Sequence, residues 1–197
     1  MKNIKPRHIM LALSASALIF SVYYLFFPHK FLPGEFSDAR IKGVTIAERI
    51  VLLSRETLSN LDKVSRYDQG RRYGAAITVL ADAINDNQES QAEAIRLSAQ
   101  LTAMAENLPR IQPAGARQLA TEAVTAEVTL VSRLIYYNEY LGQLFETLKV
   151  KFRQPGVSYL DGQVNDLINK INDEAKAINE LNKRFTGSMA EFDEIFR

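Results

Sequence analysis

One run that mixes aromatic and polar chemistry is Tyr136, Tyr137, Asn138, Glu139 and Tyr140. Three phenols, an amide and a carboxylate on one helix offer donors and acceptors to a ligand held between helices. The residues expected to line such an interhelix pocket are Tyr136, Tyr137, Asn138 and Tyr140. The competing reading is packing, because aromatic residues at helical spacing more often fill a core. Carboxylates come next. Glu122 with Glu127, and Asp173 with Glu174, are the candidate cation ligands. A di-iron bundle would need Glu-x-x-His motifs. The only histidines, His8 and His29, instead flank an apolar stretch, and the chain has no Cys. Without thiol or imidazole in the body of the protein, the commonest metal ligands and general bases are missing. No nucleophile is paired with a base, and no phosphate-binding glycine loop occurs. The residues therefore point to no enzyme, no metal and no cofactor.

Basic residues form a third candidate. Arg66, Arg71 and Arg72 stand against Asp68, giving +2 over residues 66–73. Lys149, Lys151 and Arg153 give +3 over residues 149–157. If both turns lie at one end of the fold, they make a basic tip fit for an acidic protein partner or an anionic envelope polymer. The local alternative is that Lys149, Lys151 and Arg153 complement the dipole at a helix C-terminus. Nucleic acid is not an expected partner. After the +4 of residues 1–30, the remaining 20 basic and 23 acidic residues leave −3. Affinity for nucleic acid rests on neutralising phosphates.

The elements that must position these residues are all helical. Apolar residues recur at steps of three and four, no run alternates with a period of two, and a sheet is not expected. Four long segments emerge, over residues 37–67, 71–108, 113–153 and 158–197. Ser37 or Asp38 suits the first N-cap, and Gly70 suits a helix stop. Ile46, Ile50, Leu53, Leu61 and Val64 form the first stripe. In the second segment, residues 85–91 contain no apolar residue. That stretch reads either as a loop, with Ser90-x-x-Glu93 as a capping box, or as a polar part of one continuous helix, which is slightly favoured. Pro113 fits the first turn of the third helix. Its stripe is Leu119, Ala123, Ala126, Leu130, Leu134, Tyr137, Leu141, Leu144, Leu148 and Phe152. In the fourth helix, which Ser158 and Asp161 would cap, Val164, Ile171, Ile178, Phe185 and Phe192 recur every seven residues. Only Asn182 breaks the parallel row of Ile168, Ala175, Met189 and Phe196. Its phase suggests a register-setting or buried amide. The expected fold class is all-α: an N-terminal transmembrane helix, then an up-down-up-down bundle of four long antiparallel helices with coiled-coil-like packing.

The transmembrane expectation rests on residues 9–27, which are 19 residues long and uncharged. A helix of that length reaches about 28 Å, near the hydrocarbon thickness of a bilayer. The side chains expected to contact lipid include Ile9, Leu11, Leu13, Leu18, Ile19, Phe20, Val22, Tyr23, Tyr24, Leu25, Phe26 and Phe27. The apolar run is long for a cleaved signal, and no small-x-small site follows it. Lys2, Lys5 and Arg7 precede the span, so the N-terminus is expected in the cytoplasm and the rest outside the plasma (inner) membrane. The layout is then a lead and anchor over residues 1–30, a hinge over 31–36 and a helical bundle over 37–197. Exposed stripes could also pair two copies into a homo-oligomer.

One local resemblance appears. Gly70-Arg71-Arg72-Tyr73-Gly74-Ala75-Ala76, with Leu80, Ala83 and Ile84, resembles the first helix of a tetratricopeptide repeat. It covers about fifteen residues and does not recur at the period of about 34 that such repeats require. It reads as a local Gly-Tyr-Ala packing solution. The function expected from the whole is a membrane-anchored, non-enzymatic interaction or scaffold bundle outside the cytoplasm. The alternatives are an extracytoplasmic ligand-sensing bundle that signals through a partner, similar in general build to chemoreceptor sensor domains, and an envelope lysis or secretion component.

Overall fold

The computed structural model describes residues 30–155, 157 and 159–197. The expected membrane anchor over residues 9–27 lies outside the described residues. Among the described residues, no helix is long and apolar enough to cross a membrane.

Among the described residues, four α-helices form a bundle: α1 Gly34–Gln69, α2 Tyr73–Asn107, α3 Ala114–Arg153 and α4 Tyr159–Phe196. A single 3₁₀ turn, Leu108–Arg110, separates α2 from α3. The helices hold 36, 35, 40 and 38 residues, so each runs about 50–60 Å at 1.5 Å per residue. No strand forms among the described residues. The one extended contact is a bridge in which Phe31 and Gln112 exchange backbone hydrogen bonds of 3.1 and 3.0 Å.

Successive helices run in opposite directions. The end of α1 meets the end of α3, where Lys151 pairs with Asp68 at 3.0 Å. The start of α2 lies there too, with Tyr73 stacked on Phe152 at 5.9 Å between centroids. At the opposite end, Phe36 of α1 packs on Phe192 of α4 at 5.7 Å. Arg40 there donates two hydrogen bonds to the Asp193 carboxylate, at 2.6 and 2.7 Å. This fork-to-fork geometry ties the first helix to the last.

Helix α3 is the centre of the core. It buries 16 residues where α4 buries only five, so α4 is the least covered element. Nine of the ten apolar positions read from the α3 sequence are buried, and Leu119 is partly so. Its outer face carries Thr121, Thr125, Thr129 and Ser132, each hydroxyl donating to the carbonyl four residues back. Those bonds satisfy the hydroxyls within the helix itself.

Two local expectations need adjustment, and a third, the favoured continuity of the helix through residues 85–91, holds. Helix α1 begins at Gly34 behind Pro33, with no side-chain cap, three residues before Ser37. Proline's fixed φ and missing N–H suit a helix start, so the helix opens within the stretch expected to be a hinge. At the α1–α2 turn, Gly70 has φ −83° and the left-handed position falls to Arg71 at φ 54°. The polar stretch over residues 85–91 stays helical. Asn87 and Ser90 point into the bundle, where the Asn87 amide donates to the backbone carbonyl of Asn138 at 3.0 Å. The Asn138 amide reaches Ser90 Oγ at 3.5 Å. Polar residues thus replace apolar ones across the α2–α3 contact without breaking it.

Candidate functional site

The seam between α1 and α4 closes unevenly. Phe36, Phe192 and Phe196 fill its base, with Phe192 and Phe196 at 5.0 Å between centroids. Midway along, the facing side chains shrink to Ala47 and Ser54 on α1 and Ala175 on α4, and the four helices no longer fill the space between them. A cleft of about 330 Å³ results. That lies at the lower end of the size range for small-molecule sites. Helix α1 lines it with Ala47, Ile50, Val51, Ser54, Arg55 and Leu58, and α2 with Leu97. Helix α3 contributes Glu127, Leu130, Leu134 and Tyr137, and α4 contributes Ala175, Ile178, Asn179 and Asn182. Val51 and Leu58 at its edge are 49% and 54% exposed, so apolar surface continues from the cleft onto the outside of α1.

Glu127 is the chemically unusual member. It is 8% exposed, and its Oε2 has no hydrogen-bond partner among the described residues. A buried carboxylate without a partner resists ionisation. Burial pushes Glu127 from 4.5 up to about 7. Burial also raises the Tyr137 phenol. A carboxyl group raised toward neutrality therefore sits in the apolar cleft, a combination that marks candidate sites. Arg55 lines the α1 side from an exposed position. Asn182 also turns out exposed, and its backbone carbonyl accepts from Thr186 at 2.9 Å. Its phase carries it to the cleft, because the α1–α4 seam is open there.

The tyrosine-rich run does not form one pocket. Tyr137 turns inward to the cleft, while Asn138 is 2% exposed and faces α2. Tyr136 is half exposed, and Tyr140 lies under the Lys170 ammonium at 5.4 Å. Successive residues on a helix point about 100° apart, so a contiguous run is divided among neighbours. Asn138 does border a second, more polar pocket with Asn87, Gln91, Glu139 and Gln143. The carboxylate pairs separate as well. Glu122 is exposed and accepts from Gln118 at 3.0 Å. Glu174 pairs with Arg133 at 3.3 Å, and Asp173 with Lys176 at 3.7 Å. No group of three or more potential metal-binding side chains converges among the described residues.

The two basic turns do meet, but acids meet them. Lys151 bridges Asp68 and Asp161, both at 3.0 Å. Burial lowers its pKa, yet the two carboxylate hydrogen bonds outweigh this and leave it raised. Arg66 pairs with Asp62 at 3.0 Å and Lys149 with Glu146 at 3.2 Å. The Arg72 guanidinium lies over the Tyr67 ring at 4.7 Å. Arg71 and Arg153 are exposed and make no such ion pair among the described residues. Counting charge by sequence segment had left out Asp62, Glu146 and Asp161, which the fold brings alongside.

Comparison with family models, with characterised proteins and with solved structures finds no match.

Glu127 was legible only as a possible metal ligand. The overlooked signal is its phase, four residues after Ala123 and three before Leu130, on the apolar stripe of α3. An acid at that phase either meets a partner or faces a site. Arg55, Val51 and Leu58 carried no comparable signal.

Proposed function

We propose that this chain is a non-enzymatic binding protein whose helical bundle holds a small ligand in the cleft between α1 and α4. The observation that carries the reading is the pairing of an apolar cleft, lined from all four helices, with a buried carboxylate that has no partner among the described residues. An interior usually packs to near-crystalline density and pairs its polar groups. A cleft that departs from both rules at one place is best explained by what enters it. The proposal includes the membrane tether, with the N-terminal apolar segment as anchor and the bundle outside the cytoplasm. Uncharged residues 9–27 behind a basic lead support that part.

A thermal-shift screen of the full chain with small amphipathic molecules tests the reading. A ligand at a hundred times its Kd should stabilise the protein by about 2.7 kcal/mol. Ser54→Trp, which fills the cleft, should abolish the shift. If no compound in a broad screen stabilises the chain, or if Ser54→Trp leaves the shifts intact, the cleft is not the site. A scaffold acting through the tip is the weaker reading, since three of its six cations are in ion pairs and a fourth, Arg72, lies on the Tyr67 ring.

A further inference from the structure

We infer that the cleft selects a mono-cationic amphiphile: a compact apolar body bearing one protonated amine, with Glu127 as the carboxylate that receives it. The inference rests on the cleft being a binding site and adds the chemical class of the ligand.

The walls are aliphatic. Ile50 and Leu58 on α1, Leu130 and Leu134 on α3, and Ile178 on α4 offer a surface for an apolar body of modest size. Into this surface α3 places one carboxylate, more than nine-tenths buried, with one oxygen unbonded among the described residues. A carboxylate accepts hydrogen bonds and attracts positive charge, and an ammonium supplies both in one group. The surroundings also limit the choice. The charged or titratable groups facing the cleft with Glu127 are Arg55 on α1 and Tyr137 on α3. Helix α2 contributes only Leu97, and the polar groups of α4 there are the uncharged amides Asn179 and Asn182. The Arg55 cation on the α1 side opposes a second positive charge on the ligand. A dication is therefore disfavoured, and an anion would have to bury its charge near Glu127.

Ionisation gives the inference a signature. Glu127 titrates near neutrality, at about 7, because burial penalises its charge. An ammonium beside it stabilises the carboxylate, so binding expels the proton that Glu127 carries below that pH. Affinity for a cation should rise roughly tenfold between about pH 6 and pH 8 and then level off. Close to one proton should be released per ligand at the lower pH, and almost none at the higher.

Calorimetric titration of the full chain provides the test, with 2-phenylethylammonium, neutral 2-phenylethanol and anionic 3-phenylpropionate as probes. Proton release is read from buffers of different ionisation enthalpy. The ammonium should bind roughly tenfold or more tighter than the alcohol above neutrality, as expected for a charge-assisted bond in a buried site. Glu127→Gln should abolish the ammonium's advantage over the alcohol and abolish proton release. If the alcohol or the propionate binds as tightly as the ammonium, the ligand class is wrong while the cleft stands. The same follows if Glu127→Gln leaves ammonium binding unaltered. If none of the three probes binds, the cleft itself is not a site and the inference falls with it. Should Glu127→Gln fail to fold, the proton count in the unmodified protein decides alone: no release at about pH 6 overturns the proposal.

Discussion

Glu127 carries a stability consequence independent of any ligand. An acid whose folded pKa is raised binds its proton more tightly in the folded state. Its contribution is therefore most favourable below the unfolded value and is lost as pH rises through the folded one. For Glu127 the window runs from 4.5 to about 7. Glu127→Gln removes this penalty. A tenfold difference in proton affinity between the folded and unfolded states is worth about 1.36 kcal/mol. The variant should therefore gain about 1 kcal/mol over the parent at about pH 5 and about 3 kcal/mol at about pH 8. Urea unfolding at the two pH values measures the difference, and a gap that does not widen with pH would mean the carboxylate is solvated. Arg71 makes a second case. Its φ of 54° strains any residue with a Cβ. Arg71→Gly should therefore stabilise the chain by about 0.5–1 kcal/mol in the same assay, the relief exceeding glycine's extra freedom when unfolded.

At the scale of elements, the sequence made the four helices legible and left their seams obscure. The stripe from Ala123 to Phe152 identified the buried face of α3, because a 3.6-residue period needs no knowledge of neighbours. The polar stretch over residues 85–91 remained ambiguous, since its resolution lies on another helix. Asn87 is acceptable inside because its amide meets the backbone carbonyl of residue 138 on α3, and Ser90 because the Asn138 side chain faces it. Asn138→Ala should cost about 1–2 kcal/mol, from a lost hydrogen bond and incomplete repacking. Denaturant unfolding checks this, and a neutral result would reduce the Asn138–Ser90 contact to an incidental one; the Asn87 bond, made to the backbone carbonyl, survives the substitution. The cleft was illegible for the same reason. Ala47, Ser54 and Ala175 are ordinary in their own helices and leave space only where α1 and α4 bring them opposite one another. Nor does the heptad row of α4 reveal that Ile168 stays 40% exposed and Ile178 half-buried.

For the whole molecule, the two ends of the bundle differ in character. The end that follows residues 1–29 is closed by Phe36, Phe192 and Phe196 and by the Arg40–Asp193 pair. The opposite end is held by Lys151 between Asp68 and Asp161. Lys151→Gln should cost about 1 kcal/mol, because it removes a shared cation between two carboxylates on different helices. Replacing both Arg71 and Arg153 with Gln should change stability by less than about 0.5 kcal/mol. Parallel thermal melts of these variants separate a structural tip from a bare charged surface. Between the two ends lies the cleft, and the proposed function depends on its being occupied in solution. The absence of native cysteine allows a direct measurement. Ser54→Cys puts a unique thiol in the cleft, and its rate of alkylation can be followed against rising 2-phenylethylammonium. An amine seated in the cleft should slow the reaction saturably at this position, and not at all in a matching Ser98→Cys variant on the exposed face of α2. A Ser54→Cys rate that stays the same with and without the amine would contradict ligand binding there.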